Sequence, residues 1–172
     1  MVFDYYNRLS ARRQSIYRQS DAITEIRLPD PLPLRPAAQA LQAALKSEKR
    51  ADVQRLAQQI ADGIVAQTKV PALRIQVLAV RPSDDWGELH GLYLPEEDGS
   101  TAKIQLWMRT AKHKRVVAYK SFLRTLLHEI CHHLDYELYK FPETFHTEGF
   151  YSRESSLLHQ LAPAPMEPAK TE

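Results

Sequence analysis

The sequence predicts an α+β fold in a single domain over residues 1–161. Three observations predict it. Helical periodicity dominates both ends of the chain, apolar–polar alternation is confined to a short middle stretch, and 172 residues suit one core better than two. The expected architecture is N-terminal helices, a small, mostly antiparallel sheet of three to four strands, then a long helix and a closing C-terminal helix.

Residues 4–27 read as a polar helical segment carrying Tyr5, Tyr6, Leu9, Ile16, Ile23 and Ile26, with Arg8, Arg12, Arg13 and Arg18 among them. Pro29, Pro31, Pro33 and Pro36 make 28–36 an extended connector, because proline fixes φ and removes a donor. Residues 37–67 are rich in helix formers, and Leu41, Ala44, Leu45, Val53, Leu56, Ile60 and Ile64 recur at helical spacing. These elements make residues 1–70 an N-terminal helical part. The period then shifts to two: residues 73–77 alternate as a strand, 89–94 form a second, and Ile104, Leu106 and Met108 alternate with Gln105, Trp107 and Arg109 in a third. The turn-rich residues 95–100 between the last two suit a hairpin. Helical period returns over 114–139 with a stripe of Leu123, Leu127, Ile130, Leu134 and Leu138, and Pro142 marks its end. A last helix is expected over 147–161, followed by a proline-rich tail, 162–172, expected to be disordered.

Bulk properties exclude several classes. Net charge is +2 with a pI near 8.6, too mild to announce nucleic acid by itself. Cys131 is the lone cysteine, so no intramolecular disulfide forms. The first residues lack the apolar run of a signal peptide, and no stretch approaches the roughly 18 apolar residues of a membrane helix. A cytoplasmic setting without membrane partners is the expectation.

The chemistry concentrates on the helix expected over 114–139, at His128-Glu129-Ile130-Cys131-His132. Residues four apart on a helix project from one face, so His128 and His132 can both reach one ion at about 2.0–2.1 Å. Glu129 is turned about 100° around the axis. It is placed to take a proton from a water that the metal has acidified, the physical content of H-E-x-x-H. The expected metal is Zn²⁺, the catalytic residue Glu129 and the first two ligands His128 and His132.

Thr125, Leu126, Ile130, Cys131, His133 and Leu134 flank the motif without charge. In this the helix resembles the zincin metallopeptidases, whose pattern has Thr or Val three before the first His and uncharged residues around it. The resemblance covers roughly residues 73–161 and leaves 1–70 outside. It implies a metal-activated water that cleaves peptide bonds and a strand, expected within Ile104–Arg109, that pairs with extended substrate.

A catalytic zinc takes three protein ligands and keeps one position open. His146, Glu148, Glu154 and His159 lie downstream as candidates. The metzincin arrangement is excluded, because Asp135 and Leu138 stand where its Gly and His belong. A gluzincin would use Glu154. The string Phe145-His146-Thr147-Glu148-Gly149-Phe150 looks most like the SprT-like peptidases, in which a third His opens the next helix with an aromatic residue four positions on. His146 and Phe150 fit that pattern, although the glycine comes at Gly149 rather than directly after the histidine. His146 is therefore the expected third ligand, with Glu154 as the alternative.

Other residues have two readings each. Asp135 shares the ligand face and either holds a ligand imidazole or is solvated. His133 points away, Cys131 reads as a small buried residue, and His90 has no expected ligand role. Trp86 and Trp107 read as core before cleft. Lys112, His113, Lys114, Arg115, Lys120 and Arg124, with the early arginines, would hold phosphates only if they shared a face. The sequence thus predicts a zinc peptidase acting on peptide or protein substrates. The alternative is a non-catalytic module that binds zinc, nucleic acid or a partner.

Overall fold

The computed structural model describes residues 2–84 and 87–163. Trp86 and most of the expected disordered tail, residues 164–172, lie outside the described residues. The fold is α+β, as the sequence predicts: the described residues form five α-helices and a small three-stranded sheet.

The first helical segment is shorter than periodicity suggests. A 3-10 turn, Asp4–Arg8, precedes helix α1, Ala11–Asp21, and residues 22–31 run without regular helix. Ser10 forces the break: its side chain accepts from Arg13 N–H as an N-cap, which requires extended backbone at that residue. The 37–67 segment is also two helices, α2 (Arg35–Lys46) and α3 (Arg50–Thr68). Glu48 adopts φ 59 between them, a left-handed turn that folds α3 back along α2.

Strands β1 (Leu73–Val80), β4 (Gly91–Leu94) and β5 (Ala102–Arg109) form the sheet in the order β1-β5-β4. A separate two-residue pair, β2 (Ser83–Asp84) and β3 (Gly87–Glu88), lies in the β1–β4 connection. β4 and β5 pair antiparallel, as the hairpin reading requires. The longer β1–β5 ladder is parallel, from Leu73 opposite Ala102 to Val80 opposite Arg109. The sheet is therefore mixed rather than mostly antiparallel, because the chain passes over the position beside β1, lays down β4, and returns between them. The same order makes residues 104–109 the centre of the sheet, so the expected substrate-pairing edge at Ile104–Arg109 is not an edge.

One face of the sheet carries Leu73, Ile75, Val77, Ile104, Leu106 and Met108 into the main core, under α2, α3 and helix α4 (Tyr119–Glu137). α4 begins later than expected because residue 116 still bridges to β5 at Arg109. Of its predicted stripe, Leu123, Leu127, Ile130 and Leu134 are fully buried, and Leu138 is exposed at the end. Helix α5, Glu148–Leu161, packs on α4 and closes the fold. Trp107 is buried in β5, the core reading rather than the cleft reading. No helix among the described residues is long and apolar enough to cross a membrane.

The two sheet edges are treated differently. On β1, Gln58 Oε1 accepts from Ile75 N–H at 2.8 Å, its Nε2 donates to Leu73 O at 2.8 Å, and Gln54 Oε1 accepts from Val77 N–H at 3.1 Å. Side chains of α3 thus occupy the groups that would template another strand. The outer edge of β4 pairs with no strand among the described residues. Replacing Gln58 by Ala leaves two backbone groups of β1 without their partner. We expect a loss of ~1–2 kcal/mol, read as a shift of the urea midpoint at unchanged slope.

Candidate metal centre

His128 and His132 project from one face of α4, and the connection from α4 to α5 brings His146 to the same point. His146 Nε2 lies 3.1 Å from His128 Nε2 and 3.0 Å from His132 Nε2. The three histidines lie close enough to bind a metal ion. Tetrahedral zinc with nitrogen at about 2.0–2.1 Å separates its ligand atoms by roughly 3.3 Å, close to the spacing found. Phe150 lies against all three rings, with centroids at 4.7–5.2 Å, and forms an apolar floor.

The protonation pattern follows from the partners behind the rings. Glu154 Oε2 sits 2.8 Å from His128 Nδ1, and Arg124 pairs with Oε1 at 2.6 Å. Burial alone would raise the Glu154 pKa, but these two contacts outweigh it and hold the carboxyl below its usual range. The carboxylate accepts, so His128 carries its proton on Nδ1 and presents an Nε2 lone pair. Glu154 therefore stands behind His128, and the gluzincin alternative for it does not match its position.

Asp135 also differs from expectation. It touches no imidazole. Its Oδ2 accepts from the Thr144 hydroxyl at 2.7 Å, and Thr144 Oγ1 lies 2.9 Å from His132 Nδ1. Because Thr144 gives its proton to Asp135, it accepts from His132 Nδ1–H, which again leaves an Nε2 lone pair facing inward. Two of the three inward lone pairs are thus set by second partners, the usual device around a metal-binding histidine. Asp135 is itself fully buried and ion-paired with the fully buried Arg153 at 2.9 Å. Burial raises its pKa, against the pull of Arg153 and Thr144.

Glu129 is buried at 7% exposure beside the three histidines. Desolvation raises its pKa, offset in part by His128 and by a hydrogen bond from the Tyr93 backbone N–H. A carboxylate moved toward neutrality is a better proton acceptor at working pH than an ordinary glutamate. Its place depends on Gly91. A Cβ there would stand 2.6 Å from Glu129 Oε1 and 2.8 Å from Thr125 Cγ2, so only glycine lets β4 approach α4 this closely. An isolated glycine inside a strand pattern is a signal for such an approach, and it was the available clue.

A cleft of about 770 Å³ opens over these groups. Leu89 to Tyr93 and Pro95 form one wall, and Tyr136, Tyr151 and the histidines form the other. His90 is exposed on that first wall and stands apart from the three-histidine group. His133 points the other way, its Nε2 2.9 Å from Pro71 O and its Nδ1 3.0 Å from Tyr93 OH. Cys131 is fully buried, with its thiol pKa pushed well up by burial. Two of the arginines considered for phosphate contacts are engaged within the chain, Arg124 with Glu154 and Arg13 with Glu143. Thr144, Gly91, Arg153 and the supporting position of Glu154 were not among the sequence expectations.

No family model matches the sequence, and no curated protein or solved structure is found to be similar to it.

Burial pushes the His132 pKa down to about 3, with His128, His146 and Arg153 adding to the effect. The unfolded chain takes up a proton near 6.5 that the folded chain refuses until much lower pH. This contribution to stability is therefore complete above 6.5 and is lost as pH falls toward 3. Thermal melts of the metal-free protein at falling pH should show this decline, and His132→Gln should flatten it.

Proposed function

We propose that this chain is a zinc-dependent peptidase that hydrolyses extended polypeptide. The observation that carries the reading is the convergence of three imidazole Nε2 atoms beside a buried carboxylate in an open cleft. Among the described residues the candidate ligand group contains three side chains, the number that leaves a position free for chemistry. The resemblance of the motif helix to the zincin pattern points the same way.

His128, His132 and His146 would hold the ion. When bound, zinc would polarise a substrate carbonyl and acidify a water. The Glu129 carboxylate accepts the proton of the attacking water and passes it to the leaving amine nitrogen. Its hydrogen bond from Tyr93 aims it from β4, and its burial keeps bulk water from competing for that proton. Substrate lies along β4, the edge the fold leaves open, where main-chain pairing gives affinity with little demand on sequence. This moves the substrate-binding role from Ile104–Arg109 to residues 91–94.

The test is metal content and proteolysis on protein purified without chelator. We expect about one zinc per chain by mass spectrometry and slow cleavage of an unfolded protein substrate. Glu129→Gln should retain the metal and lose activity by at least ~100-fold. A Glu129→Gln variant with wild-type turnover would remove the proton-transfer role. His146→Ala should lose zinc outright. Glu154→Ala should keep a three-histidine site but weaken its affinity ~10–100-fold, measured by chelator competition. If the opposite ranking were found, the assignment of these two residues would be reversed.

A further inference from the structure

We propose that the N-terminal arm, residues 2–23, is part of the metal centre, so that docking of the arm and binding of the metal form one linked equilibrium. The inference rests on the three-histidine reading above and assigns the arm the positioning of two of the three ligands.

The first route runs to His146. Tyr5 OH donates to the His146 backbone carbonyl at 2.8 Å, across 141 residues of sequence. Tyr5 is itself held edge-on by the fully buried Tyr17 at 5.7 Å, and Tyr17 OH accepts from Phe3 N–H at 3.1 Å. Tyr17 also packs on Phe145, next to the ligand, at 6.1 Å. On the other side of the same loop, Arg13 pairs with Glu143 at 2.6 Å. His146 lies in a connection without regular secondary structure, so these arm contacts supply the fixation that a helix gives His128 and His132.

The second route runs to His132. Arg153 Nη1 donates to Ser20 O at 2.6 Å and to Ile23 O at 2.5 Å; Nη2 donates to Ser20 Oγ at 3.0 Å and to Asp135 Oδ1 at 2.9 Å. Three of these four hydrogen bonds end on the arm. Asp135 then orients Thr144, and Thr144 orients His132. Undocking the arm leaves the guanidinium without most of its acceptors and frees Asp135 to turn away from Thr144. The third route does not involve the arm: His128 is held by Glu154 and Arg124, from α5 and α4.

The arm also packs as a unit. Its apolar side chains form a small cluster of their own, in which Ile16 and Tyr17 pack with Phe141 and Phe145, apart from the main core. Opening this cluster leaves the sheet and α2–α4 packed, the condition for a local opening below the global unfolding free energy. Linkage makes the coupling reciprocal: metal favours the docked arm, and the docked arm favours metal.

The test uses the full chain with Zn²⁺ or Co²⁺ alone. Trypsin cleavage at the exposed Arg8 and Arg12 should slow on adding Zn²⁺ and recover on chelation. Tyr5→Phe should weaken Zn²⁺ about tenfold in chelator competition and alter the visible spectrum of the Co²⁺ form at saturation. Tyr6→Phe, whose hydroxyl accepts from Arg18, should leave affinity and spectrum unchanged. Equal cleavage with and without Zn²⁺, or a Tyr5→Phe variant with wild-type affinity and spectrum, overturns the linkage while leaving the metal site standing. A wild-type chain that takes up neither ion overturns the linkage together with the reading it rests on.

Discussion

A fully buried guanidinium constrains much of this structure. Arg153 lies at 0% exposure on α5, and withdrawing such a charge from water costs several kcal/mol unless partners meet it at close range. The partners come from two separate parts of the chain: Asp135 on α4, and Ser20 and Ile23 at the end of α1 and just beyond it. Tyr139 and Phe150 present ring faces at 5.6 Å. Neither segment satisfies Arg153 alone, so the charge fixes where both meet α5. The crossing of α1 and α5 shows the same constraint in packing, since a Cβ at Gly149 would stand 2.3 Å from the Asp21 carbonyl oxygen.

The candidate site inherits its order from that meeting point. Three imidazole nitrogens brought this close need their positions fixed: two of the rings are tied from behind and the third residue is held through its backbone. His128 is tied to Glu154, His132 to Thr144, and the His146 backbone to Tyr5. Charge is distributed to match. Glu154 and Asp135 each pair with an arginine, and the Glu129 pKa is raised by burial. The unequal sheet edges complete the arrangement, with β1 closed by glutamines of α3 and β4 left open beside the histidines.

What could be read from the sequence and what could not divide along a physical line. The stripe on α4, the i,i+4 histidines and a last helix beginning near residue 147 are local patterns, and each lies where its spacing indicates; His146, expected from the motif resemblance, lies close to the other two histidines. The break at Glu48 was missed because no glycine or proline marks it; a glutamate takes the left-handed turn there. Strand order was missed because alternation says which face a residue takes and nothing about its neighbours, so a parallel β1–β5 ladder and an antiparallel one look alike. Asp135 was placed on the correct helix face, but its action through Thr144 depends on a loop conformation that no periodicity encodes. The arm was the largest gap, because its contacts span 128 to 141 residues of sequence.

Those long spans bear on how the chain is made. During synthesis the arm emerges 128 to 141 residues ahead of the loop and helix that receive it. Until those emerge, Tyr5, Tyr17 and the carbonyls of Ser20 and Ile23 lack their partners on the growing chain. Contacts so distant in sequence form late, after the closure entropy of the intervening chain has been overcome. Helices α2 and α3 and the sheet can assemble before then. The histidine cluster is therefore among the last features to be completed.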